Sequence, residues 1–481
     1  MGRLVYVCLS DLHAGADNSL LSASTSSPSA PSAVAAFGAA LNGLLQQHHA
    51  HHFGANPAAD QAPELLFLGD TLDMSFSGLD QAAQTYQDFL KVVVDPNLVS
   101  PQTRFIPGNH DQSLWTATRA ATAARNIALD QHPLLPPATA GDPAAALDDP
   151  LLSAIHARAG LGQVKTSYPN LILSKDGRCV VLHHGHFCEP IYRAVSHLLD
   201  TLEGLDLHSS TVARLSDENA AWIEFGWSAF GGSTPALNRE LQELYATVYV
   251  SSRANEVRRR IGGLLRDLVA ARLPHVGAAM AQSIDRAIAT SVDLALGSYT
   301  DQARSSVLSA VSEADIAELK WYLSGPVRRQ LIDELGDIPQ DLTFIHGHTH
   351  RPYCAKLTPG GGLPVTGLCN TGGWYLDSPM MNARQGVALV LIDDALNTLW
   401  VPCFSTPLNG SAMSQDIRLV TPETPDGKDF RDQICGWIET QADLWITLRE
   451  TAARAYARLA SSDEFRPVAR PHTPSHEGQI L

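Results

Sequence analysis

Five short stretches of the chain concentrate carboxylate, amide and imidazole groups: Asp11-Leu12-His13, Gly69-Asp70-Thr71-Leu72-Asp73, Gly108-Asn109-His110-Asp111, His183-His184-Gly185-His186 and His346-Gly347-His348-Thr349-His350. Singly these are weak signals, because Asp-x-His, Gly-Asp and His-x-His also serve turns. Jointly they supply the mixed oxygen and nitrogen donors that a pair of divalent cations needs. Such a pair lowers the pKa of a shared water, so that hydroxide exists near neutral pH, and clamps phosphoryl oxygens as charge builds in a transition state.

The elements that must position these groups are strands. Segments 4–9, 64–68 and 103–106 are apolar runs that each close on one of the polar stretches, with a helical segment at 81–94 between the second and third. Strands at 171–173 and 179–182 flank the turn Lys175-Asp176-Gly177 and lead into His183-His184. A strand at 342–345 runs into the final His-x-His, and further strands are expected at 364–368, 387–392 and 398–403. Strands alternating with helices predict an α/β fold, in which ligands gather at the carboxyl ends of the strands.

Through Asp11-Leu12-His13, Gly69-Asp70-Thr71-Leu72-Asp73, Gly108-Asn109-His110-Asp111, His184-Gly185-His186 and Gly347-His348-Thr349-His350, taken in that order, the chain resembles the calcineurin-like metallophosphoesterases. The resemblance covers roughly residues 3–13, 64–112, 170–190 and 342–375. It implies a β-sandwich of two mixed sheets flanked by helices (α/β/β/α), with a large helical insertion. It further implies that Asp11, His13 and His350 hold one metal, that Asn109, His184 and His348 hold the other, and that Asp70 and a hydroxide bridge the two. His110 would act as proton donor or transition-state stabiliser, with Asp73 orienting its ring. Manganese is the expected metal, with iron and zinc next.

Several neighbouring residues stay open at this level. His184 precedes Gly185 as the family ligand does, whereas strand alternation turns His183 to the opposite face. His186 is a candidate phosphate contact, and so is Arg351 in Gly347-His348-Thr349-His350-Arg351-Pro352, a run similar to one in bacterial UDP-diacylglucosamine pyrophosphohydrolases. His346 is expected to be structural, since the ligand shell is filled without it. Asp111 assists His110 or holds a turn, and Asn370-Thr371-Gly372-Gly373-Trp374 is a family strand end or a plain turn.

The chain is long, at 481 residues, for a single compact unit. The expected division is a core at 1–190 and 338–410, interrupted by an Ala-, Ser- and Pro-rich insertion at about 14–63 with a helix near 33–47. A helical insertion or lid follows at 191–337, then a C-terminal helical extension at 411–465 and a disordered tail at 466–481. A hydrophobic fraction of 44 % and a charged fraction of 17 % exclude wholesale disorder, and no apolar run is long enough to cross a bilayer.

A formal charge of -16 repels polyanions, which favours a small phosphorylated substrate over nucleic acid. The seven scattered cysteines and the strand-like start, with no room for a leader, predict a cytoplasmic protein. Arg258, Arg259, Arg260, Arg266 and Arg272, beside Val257, Ile261, Leu264 and Leu268, form either a solvated helix face or a peripheral contact with anionic lipid. The histidines at 48, 49, 51 and 52 are read as a mobile polar stretch that binds metal only adventitiously. Two rival functions remain: a nuclease of the same chemistry, and a silent scaffold that recruits proteins through the insertion. The complete donor set speaks against the scaffold.

Overall fold

The computed structural model describes residues 2–23, 32–54, 61–129, 143–203, 210–228, 313–376, 385–405, 413–420 and 423–461. Within them the strands are β1 (Leu4–Leu9), β2 (Glu64–Phe67), β3 (Thr103–Phe105), β4 (Leu147–Asp148), β5 (Val164–Thr166), β6 (Asn170–Lys175), β7 (Arg178–His183), β8 (Asp341–His346), β9 (Tyr353–Leu357), β10 (Thr366–Asn370), β11 (Gly386–Asp393), β12 (Thr398–Ser405) and β13 (Arg418–Leu419). They build two mixed sheets, one of eight strands in the order β13-β12-β11-β1-β2-β3-β5-β4 and one of five in the order β6-β7-β8-β10-β9.

Alternation along the strands divides the core into three apolar layers. Cys8, Leu66, Ile106, Val390 and Ile392 of the larger sheet meet Leu171, Val180, Leu182, Ile345 and Cys369 of the smaller one. On its other face the larger sheet packs Val7, Leu65, Phe67 and Leu389 against the helices Ala33–His52, Leu79–Val93, Pro425–Thr440 and Ala442–Ser461. The outer face of the smaller sheet packs Val181, Leu342 and Phe344 against Leu215, Ile223, Tyr322 and Leu331. Burial on both faces explains why β1 and β11 read as nearly unbroken apolar runs.

β1, β2, β3 and β5 are parallel neighbours, and so are β7, β8 and β10. Each parallel set therefore sends its chain out at one end. The polar stretches follow β1, β2, β3, β7 and β8, so all five lie at the carboxyl ends of parallel strands.

Three expectations need correction. The helix from Ala33 runs to His52, not to residue 47, and buries His48 at 1 % exposure against His52, Phe53 and Trp437. The histidines at 48, 49, 51 and 52 thus belong to a packed helix end, not to a mobile stretch. In the C-terminal extension the apolar spacing of Ile434, Ile438, Trp445, Leu448, Ala452 and Tyr456 predicts one amphipathic helix; there are two, Pro425–Thr440 and Ala442–Ser461, broken at Gln441, and the extension also contains β13. The remaining strands keep the expected positions to within a few residues, while β4, β5, β9 and β13 and the helices Gln112–Ala128 and Pro150–Arg158 had no clear periodic signal.

Within the expected insertion, Ala194–Glu203, Val212–Ile223, Glu313–Tyr322 and Arg328–Leu335 are helical. Residues 229–312, including the arginine-bearing segment, lie outside the described residues, as does the tail from 462. No helix among the described residues is long and apolar enough to cross a membrane.

Candidate metal centre

The loops that leave β1, β2 and β8 turn through backbone conformations that L-residues seldom adopt. Asp11, His13, Asp70, His348 and His350 have φ of 52°, 46°, 49°, 71° and 55°. These five are most of the non-glycine residues with positive φ among the described ones, the others being Asp176 and Leu396. Such strain costs about 1 kcal/mol or more per residue and persists where surrounding contacts enforce it. Here the enforcement is visible: Asp11 N–H donates to the Gly69 carbonyl at 3.0 Å, His13 N–H to the Asp70 carbonyl at 2.8 Å, and His348 N–H to Asp11 Oδ1 at 3.0 Å.

Asp111 ties the second and third loops together. Its carboxylate accepts backbone N–H groups from Gly108 (2.6 Å), Thr71 (2.7 Å), Asp70 (3.3 Å) and Leu72 (3.3 Å). Of the two roles open to it in the sequence, this geometry is that of a loop clamp. Burial and the neighbouring Asp70 carboxylate push Asp111 up to about 7, against the opposing pull of those N–H groups.

Two glycines permit the closest approaches. A Cβ at Gly108 would lie 2.2 Å from Asp70 Oδ1, and one at Gly347 would lie 2.1 Å from Asp11 Oδ2. Gly108 and Gly347 are therefore spacers for the carboxylates of Asp70 and Asp11.

Around Asp70 the donors fall into two sets. Asp11, His13, Asp70 and His350 bring one ligand atom each to within 4.8 Å of one another, and Asp70, His184 and His348 do the same. Asn109 joins the second set, its Oδ1 standing 3.0 Å from His184 Nε2. Asp70 Oδ2 lies 3.2 Å from His184 Nε2 and 3.6 Å from His13 Nε2, between the two sets.

Second partners decide what these rings present. His13 Nδ1–H donates to Asp73 Oδ2 at 2.9 Å and His184 Nδ1–H to the Leu68 carbonyl at 2.8 Å. In each neutral ring the Nε2 lone pair therefore points inward. His184 Nε2 meets Asp70, Asn109 and, at 3.2 Å, His348 Nδ1; His13 Nε2 meets His350 Nε2 at 3.0 Å. A proton, carried by a neutral or a charged ring, or a cation must lie between each such pair.

Divalent cations fit this arrangement. With metal–ligand bonds of about 2.1 Å, adjacent donors of an octahedral shell stand about 3.0 Å apart. The His13–His350 and His184–His348 pairs have that spacing.

Protons are the alternative, and the electrostatics favour an added one at His184 but not at His13, which burial holds below its ordinary value. Burial alone would depress His184, but the Asp70 and Asp11 carboxylates outweigh it and raise the ring to about 9. Against the same burial, the imidazoles of His184, His110 and His13 hold Asp70 well below the usual carboxylate range.

His110 stands beside this group. Its N–H donates to Asp70 Oδ1 at 2.8 Å, and its ring meets His13 edge-on at 4.7 Å. Its Nδ1 is 3.4 Å from Asp73 Oδ1, and the Asp73 and Asp70 charges raise its pKa over the opposing effect of burial. Asp73 thus serves two histidines, and its nearer partner is His13, a relation absent from the sequence reading.

His183 is buried on the opposite side among Phe187, Tyr322 and Phe344, and its Nδ1 accepts Gly185 N–H at 2.8 Å. His346 bonds Tyr353 Oη at 2.7 Å and the Gly347 carbonyl at 3.1 Å. His186 is wholly buried with Nε2 3.4 Å from Tyr168 Oη, its ring stacked toward Tyr168 and 5.6 Å from His184. Arg351, next to His350, is half-buried. Asn370 steadies the last loop by donating to the Gly347 carbonyl at 2.8 Å and Thr349 Oγ1 at 3.0 Å.

Residues that the sequence did not single out also reach the site. Ser10 bonds Asp11 and Thr371, the Tyr375 ring lies 4.4 Å from His13, and the Tyr192 ring lies 5.1 Å from His348. Glu189 Oε1 is 3.3 Å from His348 Nε2. Ser10 and Tyr375 border recognised motifs, which was the only available hint; nothing in sequence marks Glu189. No protein-family model matches the chain, and no curated protein matches it in sequence.

Proposed function

We propose that the chain is a metal-dependent phosphoesterase of the calcineurin-like type, a hydrolase of phosphoester or pyrophosphate bonds in a small substrate, with its two-sheet, helix-flanked architecture serving as the metallophosphoesterase sandwich. The observation that supports this most is the position of Asp70, whose carboxylate lies between two donor sets that each turn one imidazole Nε2, of His13 or of His184, inward.

Asp11, His13 and His350 would hold one divalent cation, Asn109, His184 and His348 the other, and Asp70 both, with manganese the first choice and iron or zinc next. Bound there, the cations would supply Lewis-acid activation of a phosphoryl group and a water of lowered pKa. Asp73 and the Leu68 carbonyl fix the tautomers of His13 and His184. His110, whose pKa the Asp73 and Asp70 charges raise over the opposing effect of burial, could deliver a proton to a leaving oxygen or stabilise developing negative charge. The net charge of -16 favours small anions drawn by a local positive centre over extended nucleic acid.

The test is hydrolysis of an aryl phosphate, a bis-aryl phosphate and a nucleotide pyrophosphate after chelation and after manganese is restored. Chelation is expected to abolish turnover and manganese to restore it in the parent and not in Asp70→Asn. Turnover indifferent to chelation and to that substitution contradicts the reading.

A further inference from the structure

The loop that bears His184 does not end its contribution with that ligand. After Gly185, whose φ is 123°, the chain enters two consecutive tight turns, His186–Cys188 and Pro190–Arg193. Cys188 N–H donates to the Gly185 carbonyl at 2.9 Å and Glu189 N–H to the His186 carbonyl at 2.9 Å. Glu189 is the hinge between the turns, and Pro190 fixes the backbone that follows it. Its side chain, 17 % exposed, reaches across to the loop after β8, where Oε1 stands 3.3 Å from His348 Nε2.

That contact addresses the side of His348 turned away from the donors. Nδ1 of the same ring is the atom 3.2 Å from His184 Nε2, within the set that includes Asp70. A neutral imidazole carries a single N–H. If it lies on Nε2 and is held by a carboxylate, Nδ1 must present its lone pair to the interior.

Two of the other rings obtain the same result from different partners: His13 from Asp73, and His184 from the Leu68 carbonyl. His348 is the one ring of its set whose backbone is strained, at φ 71°, on a loop whose own N–H is anchored to Asp11. The Glu189 carboxylate, on another loop, is placed to fix the rotation of this ring.

We propose that Glu189 is a positioning residue for the second metal, holding His348 in the tautomer and orientation that direct Nδ1 at the cation shared with His184, Asn109 and Asp70. This rests on the metal-centre reading above and deepens it: the loop after β7 supplies both a ligand and the carboxylate that orients a ligand on the loop after β8. Glu189 acts on the second set through the contact it makes with His348. Carboxylate partners of ligating histidines typically contribute 10- to 100-fold in metal affinity.

The experiment is a manganese titration of the chelated full-length chain, followed calorimetrically and by the electron paramagnetic resonance of free and bound Mn2+. The parent, Glu189→Gln, Glu189→Leu, His348→Ala and the double variant of the last two are compared. Glu189→Leu is expected to weaken one of two manganese sites by about 10- to 100-fold and leave the other unchanged. Glu189→Gln, which keeps an oxygen acceptor, is expected to retain both sites within about threefold of the parent, and adding the leucine substitution to His348→Ala is expected to change nothing further.

Two parent-like sites in Glu189→Leu, equal weakening of both sites, or an additive loss in the double variant would overturn the inference while leaving the metal centre intact. A parent chain that binds no manganese, and no zinc or iron in its place, would instead remove the centre itself. Should the leucine variant fail to fold, Glu189→Asp, which withdraws the carboxylate by one methylene, takes its place with the same selective loss expected.

Discussion

Asp73 Oδ2 accepts a hydrogen bond from His13 Nδ1–H at 2.9 Å, shorter than the 3.4 Å that separates its other oxygen from His110 Nδ1. A carboxylate that orients only the proton donor would influence turnover alone. One that also fixes the tautomer of a metal-set histidine influences metal affinity as well. Asp73→Ala is therefore expected to lower both metal affinity, by about 10- to 100-fold, and turnover. His110→Ala should spare metal and lower turnover by roughly 10²- to 10⁴-fold. Calorimetric metal titration beside steady-state rates separates the two; unchanged metal affinity in Asp73→Ala would show that the His13 contact is incidental.

Gly108 has no side chain because Asp70 occupies the space where one would be. An added Cβ would meet Asp70 Oδ1 at 2.2 Å and Asp70 N at 2.6 Å, the oxygen held by the His110 backbone N–H and the nitrogen by the Asp111 clamp. Gly108→Ala is expected to cost roughly 1–3 kcal/mol of stability, the usual range for overpacking, and to displace Asp70 from between the two donor sets. Urea unfolding and metal content are the measurements. A variant as stable and as metal-replete as the parent would mean that the loops yield more easily than their hydrogen bonds imply.

Far from the site, His156 offers a pH test of the core. It is wholly buried, with its Nε2 2.9 Å from Tyr86 Oη, and burial pushes it down to about 4. Its folded pKa lies below the unfolded value of about 6.5, so the fold favours the neutral ring. The contribution is complete above about pH 6.5 and is lost as pH falls through about 4, a change on the order of 3 kcal/mol. His156→Phe should flatten the stability profile in that window. It should also lower stability by about 1–3 kcal/mol at neutral pH through the unpartnered Tyr86 hydroxyl. Identical pH slopes for parent and variant would exclude His156 as the titrating group.

How much of this could be read in advance depends on whether a feature is local. The strand-then-polar-loop pattern was legible because each strand is a continuous apolar run and each motif begins where that run ends, as at Leu4–Leu9 and Asp11. Convergence of the motifs could be anticipated from parallel strands, whose carboxyl ends share an edge.

What escaped detection is set by contacts between distant segments. Asp111 became a clamp only when the loop of β2 was brought beside it, Glu189 gained its partner 159 positions along the chain, and Asp73 turned toward His13 across 60. The run of histidines at 48, 49, 51 and 52 read as a mobile polar stretch because nothing nearby in sequence packs against it; the ring that meets His48, His51 and His52 is Trp437. The break at Gln441 was hidden because the helices on both sides turn apolar residues toward the same sheet.

The measurement that bears most directly on the whole account is metal stoichiometry by elemental analysis of the chelated and reloaded chain, compared between the parent and Asp70→Asn. Two divalent ions per parent chain, with one or none retained by the variant, is the predicted result. No tightly held ion in the parent, or an undiminished pair in Asp70→Asn, would contradict a centre in which that carboxylate serves both cations.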